Sequence, residues 1–398
     1  MSDTHQASQT LSPSSVAGQR IPPAVFLLTG AVAVIGSNSL VLSPIAPEVA
    51  RSFGVSVPTV MSGTAAFGLG TAASALFLAR HIDRIGAWRM LRIAFALLAA
   101  SLLVSAAAPV ALVLVAAQLG AGVAAGIALP AIYASAAAIA PPGRESTTVG
   151  IVLTGWTLSL VAGVSISAVL ADWLDWRAVY GSVFLLAAGA LAVLVFNKHR
   201  DKVSAEPAAS PLAALAIVGV RPLLLACGAF MTAFYGVYAY LGDHLHSELS
   251  LPISANGLVT LAYGLGFGAA AFLDGLEKRV APQMGLPLAF LAVALVYLLM
   301  AMENGAYGAI LALAFLWGLA NHLGLNLLIV RLTALEPARR GAIMGLNSAV
   351  TYLAVFAGPL GFGWLYTTAG FGALAGLAVV LMAVAILAAY AAPSKSKS

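Results

Sequence analysis

The chain has 398 residues, of which 61% are hydrophobic and only 8% charged, and its mean hydropathy is +1.00. Soluble domains carry about a quarter charged residues, so this composition excludes a globule dissolved in water and puts most of the chain in lipid. The net charge of +5 comes from cations scattered at the ends of apolar runs, which excludes nucleic acid as a partner and suits loops resting on an anionic leaflet.

Residues 1–23 open the chain with a polar, Ser- and Gln-rich stretch, expected to be a disordered cytoplasmic segment. They do not read as a signal peptide, because no basic start precedes a short apolar core. A spanning helix needs about 20 predominantly apolar residues. Such runs fall at 24–50, 58–80, 90–107, 110–138, 147–170 and 178–196, and again at 222–242, 253–273, 284–302, 306–333, 341–366 and 371–391. With these twelve placed, every Lys and Arg except Arg51 and Arg177 lies on one side, so the positive-inside rule puts both termini and the central connection in the cytoplasm. The expected fold is an all-α membrane protein of 12 transmembrane helices in two pseudo-symmetric six-helix bundles, 24–196 and 222–392, with a tail at 393–398.

The central connection, 197–221, carries Lys198, Arg200, Asp201, Lys202 and Glu206 and ends in Arg221-Pro222. Its part from Pro211 to Val220 reads either as an amphipathic helix on the membrane surface or as a disordered linker. The flanking halves repeat. Pro142-x-Arg144, Gly150 and Gly163 return as Pro337-x-Arg339, Gly345 and Gly358, each displaced by 195 residues. Phe67-Gly68-Leu69-Gly70 returns as Tyr263-Gly264-Leu265-Gly266, displaced by 196. Two echoes in nearly one frame indicate duplication, and because both halves start inside they are parallel repeats, an arrangement that sets a substrate site between the halves near mid-membrane.

Between the second and third runs stands Asp83-Arg84-Ile85-Gly86-Ala87-Trp88-Arg89, a short turn with one carboxylate among cations and a glycine free to bend sharply. By itself it reads equally as a charged inside hairpin. Elsewhere stand Leu42-Ser43-Pro44-Ile45-Ala46-Pro47, Phe53-Gly54-Val55-Ser56, the Gly122, Gly126, Pro130 series, Gly155-Trp156-Thr157-Leu158, Trp176-Arg177, Gly345-Leu346-Asn347 and Gly358-Pro359. In order and spacing these segments resemble the major facilitator superfamily, and within it the twelve-helix drug:proton antiporter and arabinose-efflux-like permease branch. The resemblance implies that Asp83, Arg84, Gly86 and Arg89 form the conformational switch, with Asp83 accepting from the start of the eleventh helix in the outward-facing state. It implies that Asp83→Asn impairs transport and preserves insertion. The chain departs from the family at Ala79, at Ala87-Trp88, at Gln118 where the branch usually carries Arg, at Gly163-Val164-Ser165 in place of Gly-Pro, and at Glu277-Lys278-Arg279.

None of the fourteen acidic residues falls at the centre of a predicted helix. Glu48 and Asp243 lie near outer ends. His322 is the one mid-helix ionisable group, so it should face the bundle interior or a watery cavity, with Asn326 four residues on and on the same face. It reads as a substrate contact or a proton carrier, since imidazole titrates near neutrality, or as a neutral ring bonded to a neighbouring helix. His322, Asp243 and Glu48 are the proton-coupling candidates. From the helices that line the pore in this family, the substrate-binding candidates are Asn38, Gln118, Tyr133, Met231, Tyr235, Tyr238, Asn321, His322 and Asn326. Asn38, with Ser37 and Ser39, also reads as glue between packed helices, and the rings as packing. Asp243-His244-x-His246-x-Glu248 clusters four possible ligands without a recognised metal spacing, so a solvated loop is expected and no metal. Cys227 is the single cysteine and forms no internal disulfide.

These residues describe a neutral cavity of amides, hydroxyls and rings, matched to a small neutral or singly charged amphipathic solute. The expected function is secondary transport by alternating access: efflux of a drug or metabolite, with protons as the second cargo. An importer or facilitator without proton antiport is the alternative, favoured by the neutral Gln118. No phosphate-cradling Gly-Lys-Ser/Thr loop is present, so ATP is not the driver and no cofactor is implied. An intramembrane protease built on Ser165 and His322 is the competing enzyme reading, and a transporter-like receptor is a third. The expected setting is the bacterial inner membrane, the expected state a monomer among membrane lipid.

Overall fold

The computed structural model describes residues 21–78, 81–142, 144–196, 211–273, 283–303 and 305–392. All regular structure among them is helical: α1 (Ala24–Phe53), α2 (Val57–Phe77), the one-turn α3 (Ile82–Ile85), α4 (Ala87–Ala106), α5 (Ala111–Ile139) and α6 (Glu145–Leu158). A π segment (Ser159–Val164) joins α6 to α7 (Ser165–Trp173), and α8 (Trp176–Phe196) closes the first half of the chain. The second half holds a 3-10 turn (Pro211–Ala216), α9 (Val220–Asp243), a second π segment (His244–Glu248), α10 (Ile253–Ala269) with a 3-10 extension (Ala270–Leu273), α11 (Gly285–Ala301), α12 (Tyr307–Leu335) and α13 (Arg340–Ala391). Nine of the described helical stretches are long and apolar enough to cross a membrane, and α10 and α11 are shorter apolar helices.

Local chemistry sets the ends. Gly54 takes the left-handed conformation that stops α1, at φ 66, and its N–H returns to the Ala50 and Arg51 carbonyls. Ser56 then caps α2 by accepting from the Thr59 N–H, with Pro58 in the first turn where a missing N–H costs nothing. Inside α13, Gly370 is non-helical (φ 75, ψ −177), so that stretch is two limbs meeting at an angle, 340–369 and 371–391. The segment from Pro211 to Val220, read either as an amphipathic helix or as a disordered linker, is a 3-10 turn (Pro211–Ala216) and three turn residues leading into α9. Residues 197–210, like 1–20, Glu277-Lys278-Arg279 and 393–398, lie outside the described residues.

In the first half α2 and α4 pack on α5, α4 on α8, and α1 on α6; in the second, α10 packs on α12, α11 on α12 and α13, and α9 on α13. The halves meet through α2 against α13, α7 and its π segment against α10, and α1 against α9. The repeat seen in the sequence has its counterpart in contacts. A Cβ on Gly122 would collide with the Phe67 carbonyl, and one on Gly318 with the Tyr263 carbonyl; Gly70 faces the Leu119 carbonyl as Gly266 faces that of Phe315. Each second pair is the first moved along by 196 residues. Backbones approach this closely only where one side lacks a side chain, which is how helices pack in lipid.

Candidate functional site

The site is built where α1 and α9 cross. Pro44 and Pro47 sit inside α1 and cannot donate to the carbonyls four residues back, those of Leu40 and Ser43. In lipid such carbonyls must find other donors. The Tyr238 hydroxyl of α9 donates to the Leu40 carbonyl at 3.2 Å. The Ser43 carbonyl faces Gly242, where a Cβ would come within 2.7 Å. In return the Ser43 hydroxyl donates to the Tyr238 carbonyl. About two turns further, Arg51 Nη2 reaches His246 Nε2 at 2.9 Å. Since His246 Nδ1 lies 2.9 Å from the Leu251 carbonyl, it must carry the proton, leaving Nε2 to accept from the guanidinium. Ser43 with Tyr238, and Arg51 with His246, are each 195 residues apart, which is the spacing of the repeat. A residue touches its own repeat only beside the axis relating the two, so the pseudo-twofold axis runs between α1 and α9.

This distal end, away from the 197–221 connection, is closely packed. Residues 34–47 of α1 and 236–245 of α9 and its extension are buried without a break, whereas both helices are partly exposed nearer the connection. Gly257 of α10 presses on the Ser165 carbonyl of α7, and Gly363 of α13 on Pro58 of α2. Two cations at this end, among the described residues, are held structurally. Arg51 takes His246, and Arg177 lies over the Trp176 ring at 4.3 Å while donating to the Ala108 carbonyl.

Toward mid-bundle, rings from α9, α10, α11 and α12 form one cluster. Phe234 contacts Tyr235, Tyr238, Tyr263 and Trp317, with centroids 4.9–5.6 Å apart. Trp317 Nε1 donates to the Tyr297 hydroxyl at 3.0 Å, and Asn321 Nδ2 to that of Tyr263 at 3.0 Å. His322 stands edge-on to Phe267 at 4.8 Å and, like Asn326, is half-buried. Met231 is buried on α9, and Tyr235 backs onto Gly358 of α13. Tyr352 of α13 is buried. Tyr133 accepts from Trp156 Nε1 at 3.3 Å.

Asn38 and Gln118 face each other instead. Their amides exchange bonds of 3.2 and 3.4 Å, Gln118 adds one to Ser105 at 3.1 Å, and both are buried. This is a joint between α1 and α5, set apart from the ring cluster. Ser165, the nucleophile of the enzyme reading, donates to the Leu160 carbonyl within its own π turn. At the switch segment, Gly86 (φ 98) separates α3 from α4, and Arg84 and Arg89 are exposed; the Asp83 side chain lies outside the described residues.

The expected solvated loop at Asp243–Glu248 is corrected. The helix runs on through a π turn with Asp243 and His244 only 8% and 9% exposed. Asp243 accepts from the Tyr366 hydroxyl at 2.8 Å and from Ser247 at 2.7 Å, and His244 stacks on Phe371 at 4.3 Å while bonding Glu248 at 2.9 Å. These partners let polar groups stay in the helix. Among the described residues no metal-like cluster forms. Glu48 is half-buried near Arg51, Asp172, Asp175 and Trp176. Sequence reasoning missed Trp156, Tyr263, Trp317, Tyr352 and Tyr366. Trp156 and Tyr263 stood in the sequence only as parts of a family motif and of the repeat, and Trp317 stood one helical turn before Asn321.

Long apolar helices, backbone contacts through glycine and an interior nearly free of charge define an integral membrane protein with its polar groups turned inward. The sequence profile of the Major Facilitator Superfamily matches residues 26–330. The chain belongs to that family, and is a membrane transporter. It is similar to YwfA of Bacillus subtilis (strain 168), an uncharacterized MFS-type transporter, with 24% identity over 356 residues that cover 87% of this chain and 86% of that protein. In fold it is similar to a bacterial homolog of the human lysosomal transporter Spinster. The inward-facing, occupied structure matches with TM-score 0.68 and 15% identity over 92% of this chain and 95% of that one. The inward-facing, unoccupied structure matches with TM-score 0.73 and 14% identity over 94% and 98%.

Proposed function

We propose that the chain is a secondary transporter of the plasma membrane, with its termini in the cytoplasm, that exports a small neutral or singly charged amphipathic solute by alternating access. The two six-helix bundles are 24–196 and 222–392. In this reading the nine long apolar stretches, with the longest divided at Gly370, and the two shorter helices α10 and α11 are the twelve spans. The observation that carries the reading is the distal contact between equivalent residues of the repeat, Ser43 with Tyr238 and Arg51 with His246. A contact set lying on the axis, made of few bonds and glycine approaches, can part as a unit when the bundles rock. The ring cluster with the Tyr133, Tyr235 and Tyr352 hydroxyls is the substrate region, with Met231, Tyr238, Asn321, His322 and Asn326 around it. It offers faces and single hydrogen bonds but no fixed charge, which suits the solute class.

Asp243 is the favoured proton carrier of the three candidates. It is a buried carboxylate held by two neutral hydroxyls, with no cation paired to it among the described residues. A facilitator without antiport has its own support, because Gln118 is neutral and committed to Asn38. The test is a ligand panel by thermal shift on purified protein, then flux of each hit in proteoliposomes with and without a pH gradient. Gradient-driven accumulation supports antiport; equal flux with and without it assigns the facilitator; binding without flux of any hit overturns transport.

A further inference from the structure

Away from the ring cluster, a cavity of about 540 Å³ opens between α9, both limbs of α13 and the 3-10 turn that precedes α9. Along α9 its wall is one helical stripe, Arg221, Leu224/Leu225, Gly228/Ala229 and Thr232, facing Val350, Leu381 and Val384. From Arg221 to Thr232 is eleven residues, a rise of about 16 Å at 1.5 Å per residue. One leaflet of hydrocarbon is about 15 Å deep, half of a core of roughly 30 Å. A cavity of that length, entered at Arg221 on the linker side, matches the depth of one leaflet. It is apolar along its length, and Leu225 and Val384 are exposed at its edge.

At its mouth is a cation. Arg221 is exposed, and its Nε donates to the Leu215 carbonyl at 3.0 Å, which holds the guanidinium against the cavity wall. None of the ion pairs among the described residues involves it. A planar guanidinium so held presents its two terminal nitrogens to an acceptor with paired oxygens, such as a phosphodiester. Lys198, Arg200 and Lys202 precede it in the sequence. The geometry points to a bound anionic phospholipid of the linker-side leaflet, its phosphate on Arg221 and one acyl chain along α9 toward Thr232. This site is separate from the substrate region, and the leaflet is cytoplasmic if the topology proposed above holds.

The test is native mass spectrometry of the full chain released from mixed phosphatidylglycerol and phosphatidylcholine micelles, which needs no transport substrate. Failure of the transport reading would therefore not touch it. Wild type should retain one phosphatidylglycerol in preference to phosphatidylcholine. Arg221→Gln should weaken retention about tenfold, the range of a lost charge-assisted bond. Gly228→Leu should block the groove and do the same, since a Cβ there meets only Val350 at 3.4 Å. If Gly228→Leu does not fold, the exposed Arg221→Gln carries the test. Equal retention of both lipids, unchanged retention in Arg221→Gln, displacement by inorganic phosphate alone, or a dimer that the same variants dissolve would each overturn the assignment.

Discussion

Two glycines on α10 separate the contact that should open during transport from one that should not. Gly257 faces the other half of the chain: a Cβ there would lie 2.7 Å from the Ser165 carbonyl and 3.5 Å from the Ala168 Cβ. Gly266, nine residues on, faces α12 of its own half, where a Cβ would fall well inside contact with the Phe315 carbonyl. Overpacking of this kind costs about 1–3 kcal/mol, and neither backbone carbonyl can swing aside as a side chain could. In Gly257→Ala the strain exists only while the distal ends touch, so it is relieved by separating them; the variant also gains about 1 kcal/mol of helix propensity in every state. The population open at the distal end should therefore rise roughly 5–150-fold. In Gly266→Ala no rearrangement of the halves relieves the strain, so the fold itself weakens. The assay is modification of Ala46→Cys, a buried α1 position, by a membrane-impermeant maleimide, alongside thermal melting. Gly257→Ala should label faster with an unchanged or raised melting temperature, and Gly266→Ala should melt lower. Unaltered labelling in Gly257→Ala, with Gly266→Ala melting as wild type, would refute the reasoning.

Removing the Arg51–His246 bond, by Arg51→Ala or His246→Phe, should raise the same labelling by at most about fivefold, since an exposed polar pair is worth roughly 0.2–1 kcal/mol. The double variant should do no more than either single one. Tyr238→Phe orphans the Leu40 carbonyl left open by Pro44 and should cost about 1 kcal/mol of stability in detergent, whereas Tyr235→Phe should cost less. Asn38→Ala or Gln118→Ala alone strands a buried amide and should lower the melting temperature. The pair together should lose less than the sum of the two, a coupling read by a double-mutant cycle. Asp243→Asn should abolish gradient-driven transport and spare exchange of substrate without a gradient; full gradient-driven accumulation in that variant would remove Asp243 from the proton path.

Much of the fold was legible because lipid imposes strong rules. Apolar runs of spanning length located the helices, and the displaced glycines announced the duplication that the Gly70 and Gly266 contacts repeat. The helix boundaries blurred wherever polar residues found partners inside. Hydropathy ended the seventh run at Asp243, yet Tyr366 and Phe371, more than a hundred residues away, let the helix carry Asp243 and His244 onward. The same distance hid the site. Asn38 and Gln118 looked like two cavity residues because each is polar in an apolar run; that they satisfy each other is a fact about the crossing of α1 and α5. Tyr263 stood in the sequence as a marker of the repeat, and only the approach of α10 to α12 brings it beneath Trp317 and onto Asn321. Pro44 did carry a readable consequence, a carbonyl in need of a donor, but nothing in the chain names Tyr238 as the donor.

The central claim is that the two halves rock about the axis between α1 and α9. Spin-label pairs at exposed positions report it directly: Thr59 with Thr367 across the distal end, and Thr147 with Ala338 across the linker end. Measured in one lipid preparation with and without a transported ligand, the two distances should change in opposite senses, one shortening as the other lengthens. Two distances that stay fixed, or that lengthen together, would contradict the account.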